Sequence, residues 1–424
     1  MSPSVRREPT PDFLRSRRRA RDPRFLQLLT FGMLLDPAAF TRAVDWAEAC
    51  RSTWGTQDLT HDELSWLLKQ VVGDAIQRCG PRPVTLGLSA GYDSRPMLWA
   101  LWELGLQPQT YTFGQVGNLD FDLVKLLADR LALETEFIDS NTADWPLEQF
   151  DWYAQSAQDL PISPRVLAER HLDDLVPGRI DVHGYLNDAL TGGTRPRGPV
   201  DSHQLAITEF VNKNDFFGFQ QLMPEGLVER LLPSELVDPD RPLSSYQQLD
   251  IGYRQAQRIR PVTAGSHTFA FPFEDPRWVG YWLTRPEPEI AGQRSWLRFV
   301  RHLGGALLFD LEPFEALPRK DLRRRRLGLV YGGQGQTGLV DVTSSQRILP
   351  ANPTQHFDLR ACYRNNHSFQ DLVGSSIRRL RGRRIFVTSF IDDVMSRFRE
   401  GEDEAAKMMN GLLTADIAIE AGRI

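Results

Sequence analysis

A short polar turn, residues 89–94, separates two apolar stretches of this sequence. The run at 84–88 is typical of a buried strand, and the pattern at 96–104 predicts a helix. The turn offers serine hydroxyls, backbone N–H groups around Gly91 and the N-terminus of the following helix, a combination that binds anions. Asp93 lies within the turn, and its carboxylate suits a phosphate site when Mg²⁺ lies between the two. The polar turn is therefore predicted to bind a phosphate group together with Mg²⁺.

The polar turn has the form S-x-G-x-D-S, in which the specified positions are Ser89, Gly91, Asp93 and Ser94. It lacks the GxxxxGK[ST] pattern of P-loops and the GxGxxG pattern of dinucleotide-binding proteins. It resembles the pyrophosphate-binding loop SGGxDS of the N-type ATP pyrophosphatases, with Ala90 at the second position. The resemblance implies that the four specified residues bind the pyrophosphate of ATP and that Asp93 also binds Mg²⁺. A tight turn with incidental hydroxyl groups is the structural alternative.

A second loop, residues 184–193, follows a predicted strand at 179–184 and has the form G-x-x-x-D-x-x-x-G-G. It resembles the second signature of the asparagine synthetase family, G-E-G-x-D-E-x-x-G-G. The resemblance implies that Gly184 belongs to the nucleotide site and that Asp188 is a further Mg²⁺ ligand. Tyr185 stands where asparagine synthetases have their catalytic glutamate, a departure that argues against asparagine synthesis.

The tyrosine resembles the β-lactam synthetase branch of that family, which uses a tyrosine to help deprotonate the attacking amine. Tyr185 is therefore predicted to be catalytic, and an aromatic packing role is the alternative. A phenol can relay a proton from an ammonium group if a carboxylate and a nearby positive charge tune its pKa. Asp250 and Glu274 are the candidate carboxylates.

Two later segments also resemble the asparagine synthetase family. The segment FPFED resembles R-x-P-F-x-D, in which the aspartate, here Asp275, helps to join the two halves of the domain. The segment at 317–328 resembles the one that supplies a lysine to stabilise charge during adenylation. The matching position is Arg326, or Lys320 in another register, and a solvated arginine-rich helix is the alternative. A glycine-rich stretch at 331–338 is predicted to close over the site.

The elements that must position these residues alternate between strands and helices. Strands are predicted at 84–88, 109–114, 134–139 and 179–184, with helices between them. This order predicts an α/β fold with a doubly wound, mostly parallel sheet, and the resemblance specifies an adenine nucleotide alpha hydrolase-like one. Ligands of such sheets bind beyond the carboxyl ends of the strands. The residues predicted on that basis to hold adenine and ribose are Leu88, Thr112, Phe113 and Gly114.

The domain prediction divides the chain near residue 59. Residues 1–58 are predicted to form a basic, helical N-terminal segment, and residues 59–424 the asparagine synthetase-like domain. Its sheet part is placed at about 80–200 and an all-helical part at about 200–424. Few residues precede the polar turn, too few for a glutamine-hydrolysing domain. We therefore expect nitrogen from ammonia, from a separate glutaminase or pathway partner, or from an amine-bearing substrate.

The composition narrows the class of protein. The 424 residues carry a formal net charge of -5, are 41% hydrophobic and include 3 cysteines. No disulfide framework, signal peptide or membrane span is predicted, so a soluble cytoplasmic protein is expected. The acidic net charge makes nucleic acid an unlikely partner.

These observations predict an ATP- and Mg²⁺-dependent synthetase that releases AMP and pyrophosphate. It would adenylate a small-molecule or peptide carboxylate and transfer it to an amine or ammonia. One alternative is an RNA-modifying enzyme of the lysidine-synthetase kind, which the arginine-rich segments at 15–21 and 323–326 favour. The other is a nucleotide-binding scaffold without catalytic activity.

Overall fold

Hydrophobic runs too short to form helices build a parallel sheet at the centre of the protein. The computed structural model describes residues 11–16, 18–55, 57–89, 91–116, 119–145, 165–196, 200–260, 267–309 and 358–424. The sheet order is β3-β2-β1-β4-β5 and every pairing is parallel. The strands are β1 (Val84–Gly87), β2 (Gln109–Gly114), β3 (Thr135–Asp139), β4 (Ile180–Val182) and β5 (Thr268–Ala270). The predicted α/β class and parallel sheet are confirmed, and the arrangement is compatible with a doubly wound fold.

The fifth strand corrects the sequence-based prediction. Residues from about 200 onward were expected to be all helical, and this is wrong at β5, which pairs with β4. The backbone N–H of His183 also donates to the carbonyl of Ala270 over 3.0 Å. A strand of three residues shows no periodicity in a sequence, so only its tertiary pairing with β4 identifies it.

Helices form most of the described chain after β4. They are α1 (Pro23–Phe31), α2 (Pro37–Trp54), α3 (His61–Cys79), α4 (Ser94–Glu103), α5 (Leu119–Leu131), α6 (Arg165–Leu175), α7 (Asn187–Thr191), α8 (His203–Asn214), α9 (Leu227–Leu231), α10 (Ser245–Leu249), α11 (Pro276–Leu283), α12 (Glu287–Ile290), α13 (Arg294–Phe309), α14 (Leu359–Asn365), α15 (His367–Arg383), α16 (Thr388–Glu400) and α17 (Asp403–Glu420). A π-helix, Asp250–Ile259, continues α10.

Helix α3 begins with a capping box. The Thr60 hydroxyl accepts a hydrogen bond from the Glu63 backbone N–H over 3.3 Å, and the Glu63 carboxylate accepts one from the Thr60 N–H over 2.8 Å. This capping box satisfies two backbone donors that the first turn would leave unpaired. The residues that form its buried face are Leu64, Leu67, Leu68, Val71, Val72 and Ala75.

The described residues of the predicted N-terminal segment pack into the same hydrophobic core as the sheet. Helix α2 lies close to both the π-helix and α11. A Cβ added at Gly252 would lie 2.3 Å from Phe40, and one added at Gly280 would lie 2.6 Å from the Cys50 carbonyl oxygen. Glycine at these two positions therefore permits α2 to pack closely against the π-helix and α11. Among the described helices, none combines the length and hydrophobicity that crossing a membrane requires.

Candidate functional site

A cavity of about 300 Å³ opens at the carboxyl ends of β1, β2 and β4. It lies where the strand order changes direction between β1 and β4, the position at which open parallel sheets bind ligands. The residues that line it are Gly87, Leu88, Ser89, Asp93, Ser94, Met97, Tyr111, Thr112, Phe113, Val182, His183, Gly184, Tyr185, Leu186, Asp188, Arg254, Gln255 and Ile259. The sheet therefore brings the polar turn and the second loop to one cavity, as the sequence predicts.

Two serines hold the polar turn in shape. The Ser89 N–H donates to Ser94 Oγ over 3.0 Å, and the Ser94 hydroxyl donates to the Ser89 carbonyl over 3.2 Å. The two hydroxyl oxygens lie 3.1 Å apart, and the Gly91 N–H donates to Ser89 Oγ over 3.3 Å. The turn leads directly into α4, whose N-terminus carries the positive end of the helix dipole. The arrangement is suited to an anion.

Asp93 is held by a side chain of the second loop. Its carboxylate makes no capping hydrogen bond to α4 and instead accepts one from Asn187 Nδ2 over 2.7 Å. Asn187 is fully buried, and its own Oδ1 accepts from the Trp278 ring N–H over 3.1 Å. Sequence reasoning missed Asn187, although it directly precedes the predicted metal ligand Asp188.

Asp188 lines the same cavity as Asp93. The Asp188 side chain is open to the cavity, but protein atoms surround it elsewhere, and this desolvation raises its pKa. The charge of Arg254 lowers that pKa and the charge of Asp250 raises it, while a hydrogen bond from Gln293 lowers it. Gln293 Nε2 donates to Asp188 Oδ1 over 3.3 Å. Two carboxyl groups from different loops thus line one cavity.

The donor set fits Mg²⁺ bound together with a phosphate chain. Mg²⁺ takes oxygen ligands, commonly one or two protein carboxylates completed by phosphates and water. The described residues contain no group of three or more metal-binding side chains, so Asp93 and Asp188 would need oxygens from a ligand.

Gly184 permits the close approach of the two loops. A Cβ at this position would lie 3.2 Å from the Asp93 Cβ and 3.3 Å from Met97 Cε. Both distances are shorter than ordinary carbon–carbon contacts. Two residues further on, Leu186 has φ 77° and ψ −27°, a conformation that is uncommon for a residue other than glycine. Such strain costs on the order of 1–3 kcal/mol and is found mainly at functional sites.

Tyr185 lies between the cavity and a pair of opposite charges. Its ring packs edge-on against the Phe271 ring, with the ring centroids 5.6 Å apart. The Arg260 guanidinium lies over the same Phe271 ring, 4.6 Å from its centroid. Arg260 forms two hydrogen bonds to Glu274, over 2.7 and 3.2 Å. Burial raises the pKa of Tyr185, the charges of Glu274 and Asp250 raise it further, and Arg260 lowers it. Of the two candidate carboxylates, Glu274 has the stronger effect on Tyr185.

The π-helix forms one side of the cavity, which was not predicted from the sequence. It places Arg254, Gln255 and Ile259 at the cavity. π-helical geometry widens the turn and occurs frequently at functional sites, but it leaves no simple sequence pattern. Asp250, at its first position, accepts hydrogen bonds from Arg254 over 3.3 Å and from the Thr194 hydroxyl over 2.6 Å.

The other predicted residues fall in three groups. Thr112 and Phe113 line the cavity, whereas Gly114 is not among its lining residues, and its carbonyl accepts hydrogen bonds from the N–H and hydroxyl of Ser140. Gly91 lies within the polar turn without lining the cavity. Some predicted site residues lie outside the described part of the chain: Ala90, Lys320, Arg326 and 331–338.

Asp275 has the structural position expected for it. It caps the N-terminus of α11 and pairs with Arg277, whose guanidinium also donates to Asp74 of α3 over 2.6 Å. The segment after β5 is thereby tied to the helix that precedes β1.

The fold and the cavity together define an α/β protein with a parallel sheet and an anion-suited cleft at its switch point. Comparison of the chain with protein-family models and with curated protein sequences found no match.

Proposed function

We propose that this protein is an ATP-dependent, AMP- and pyrophosphate-forming amide-bond synthetase. The observation that carries the proposal is the meeting of the polar turn and the second loop at one cavity, which Asp93 and Asp188 both line. Each loop resembles a different signature of one enzyme family, and the two are far apart in the sequence. Their presence at one cavity is what a common nucleotide site would require.

Each wall of the cavity has a part in this proposal. The polar turn and the N-terminus of α4 would bind the phosphates through backbone N–H groups and the serine hydroxyls. Leu88, Thr112 and Phe113 would contact the adenosine. Asp93 and Asp188 would hold Mg²⁺, which supplies charge neutralisation to the phosphates when it is bound. The protein then acts mainly by positioning the substrate carboxylate and stabilising charge.

Tyr185 is assigned to the amine step. Its raised pKa keeps the phenol protonated at neutral pH, so it cannot act as a free phenolate. It would instead accept a proton from the attacking amine while its own proton passes toward Glu274. Arg260 holds Glu274 in place through its two hydrogen bonds.

Binding of MgATP, measured by calorimetry, tests the nucleotide site. Asp93→Asn and Asp188→Asn are expected to weaken MgATP binding about 10- to 100-fold, because each removes a charge-assisted contact. Asp371→Asn, at an exposed position on α15, is the matched control and is expected to bind as the unaltered protein does. Unchanged affinity in both site variants would contradict the metal assignment.

Exchange of labelled pyrophosphate into ATP, with a panel of carboxylates, tests the reaction. Exchange that requires one carboxylate and disappears in Asp93→Asn supports adenylation. MgATP binding without exchange would favour a non-catalytic scaffold. Tight tRNA binding that weakens steeply with salt would favour the RNA-modifying alternative.

A further inference from the structure

Arg254 is the side chain with a permanent positive charge among the described residues that line the cavity. The other charged side chains there, Asp93 and Asp188, are acidic. A Mg²⁺ ion would offset those two carboxylates and leave the charge of a polyphosphate largely unbalanced. The cavity therefore needs a cation from the protein itself, and Arg254 is in position to supply it.

A buried carboxylate holds Arg254 in place. Asp250 is 2% exposed, and its two oxygens accept hydrogen bonds from Arg254 and from the Thr194 hydroxyl. The Arg254 side chain stays 22% exposed. A guanidinium has five N–H donors. Within the described part of the chain one of them is used, by Asp250.

Arg254 is also close to the predicted metal ligands. It lines the same cavity as Asp93 and Asp188, and its partner Asp250 begins the π-helix that forms this side of the cavity. A planar guanidinium at such a place can form two parallel hydrogen bonds to one phosphate group, which an ammonium cannot do.

We propose that Arg254 binds the phosphate chain of the nucleotide on the Asp188 side of the cavity. Asp250 and Thr194 act as positioning residues that orient the guanidinium. This inference rests on the proposed function, because it assigns a contact within the same nucleotide site.

Calorimetry with magnesium pyrophosphate and with MgATP tests the contact. Arg254→Gln is expected to weaken the binding of both ligands about 10- to 100-fold, the usual effect of losing hydrogen bonds to a charged group. It is also expected to make pyrophosphate affinity less dependent on NaCl, which a purely structural role would not do. Arg254→Lys keeps the charge and is expected to lie between Arg254→Gln and the unaltered protein.

Arg258→Gln is the matched control. Arg258 lies on the same π-helix, but its guanidinium is over the Phe216 ring at 4.0 Å and it is not among the lining residues. It is expected to leave both affinities unchanged. Circular dichroism and melting temperature establish that each variant is folded; if Arg254→Gln is not, Arg254→Lys decides the question.

Two results would overturn the inference. One is affinity for magnesium pyrophosphate within about twofold of the unaltered protein in the folded Arg254 variants. The other is an equal loss in Arg258→Gln. If the unaltered protein binds neither pyrophosphate nor ATP, the proposed function itself fails, which is a different outcome from an unaffected Arg254 variant.

Discussion

An alanine at position 184 tests how closely the two loops of the cavity must approach each other. The new Cβ would lie 3.2 Å from the Asp93 Cβ and 3.3 Å from Met97 Cε. Carbon atoms pack best about 3.5–4.0 Å apart, so both neighbours must move by a few tenths of an ångström. Asp93 has little room to do so, because Asn187 holds its carboxylate over 2.7 Å.

The expected cost of Gly184→Ala to folding follows from this overlap. Overpacking of this kind costs about 1–3 kcal/mol. The entropy of unfolding is about 2.1 cal/mol/K per residue, so for a chain of 424 residues the melting temperature should fall by about 1–3 °C. Functional groups must be held within about 0.5 Å of their working positions. We therefore expect MgATP affinity to fall about tenfold by calorimetry, although no charged group has been removed.

Gly382→Ala is the control for this substitution. Gly382 lies in α15, and a Cβ there would contact nothing within 4 Å. It is expected to bind MgATP normally and to gain about 0.5–1 kcal/mol of stability, because alanine favours the helix. If Gly184→Ala melts and binds MgATP as the unaltered protein does, the two loops do not depend on this approach, and the reasoning is refuted.

Three further substitutions test other parts of the structure. Tyr185→Phe should fold normally and keep ATP–pyrophosphate exchange, while amide product measured by mass spectrometry falls about 100-fold or more; a full rate of product formation would remove the tyrosine from the reaction. Gly192→Ala should lower the free energy of unfolding, measured by urea denaturation, by about 2–4 kcal/mol. The reason is that φ at Gly192 is +94° and the new Cβ would lie 2.2 Å from the Ile290 carbonyl oxygen. An unchanged urea midpoint would mean that this backbone relaxes. Asp275→Asn should lower stability at pH 7 by about 1–3 kcal/mol. Burial raises the pKa of Asp275, but hydrogen bonds and charge from Arg277 lower it more. The stabilisation from this carboxylate is therefore present above about pH 4 and is lost as pH falls through the lowered pKa. The urea midpoints of Asp275→Asn and of the unaltered protein should converge in acid, and a gap that does not change with pH would contradict the ion pair.

Elements with a strong local signal were predictable from the sequence. The capping box at Thr60 and Glu63 is formed within four residues, so its partners are neighbours in the chain. The first four strands have apolar runs with helices between them, and all four form near their predicted positions. The polar turn likewise appears between β1 and α4 because its own hydroxyl groups hydrogen-bond within it.

Features that depend on distant partners were not predictable. β5 has three residues and exists because β4 pairs with it. Asn187 holds Asp93 from a position 94 residues away, and nothing around either residue indicates the contact. Gly114 follows two cavity residues in β2, yet its carbonyl is turned to Ser140. Arg254 reaches the cavity through a π-helix that is packed against α2.

The sequence by itself determined which segments form strands and helices, and which two loops carry the serines, glycines and carboxylates suited to a phosphate site. Those properties depend on the chemistry of a few consecutive residues. Only the tertiary structure decided that β1 and β4 are neighbours, and that Asp93, Asp188 and Arg254 therefore line one cavity. Strand order and side-chain contacts minimise the free energy of the whole core, so residues remote from the loops select which loops meet.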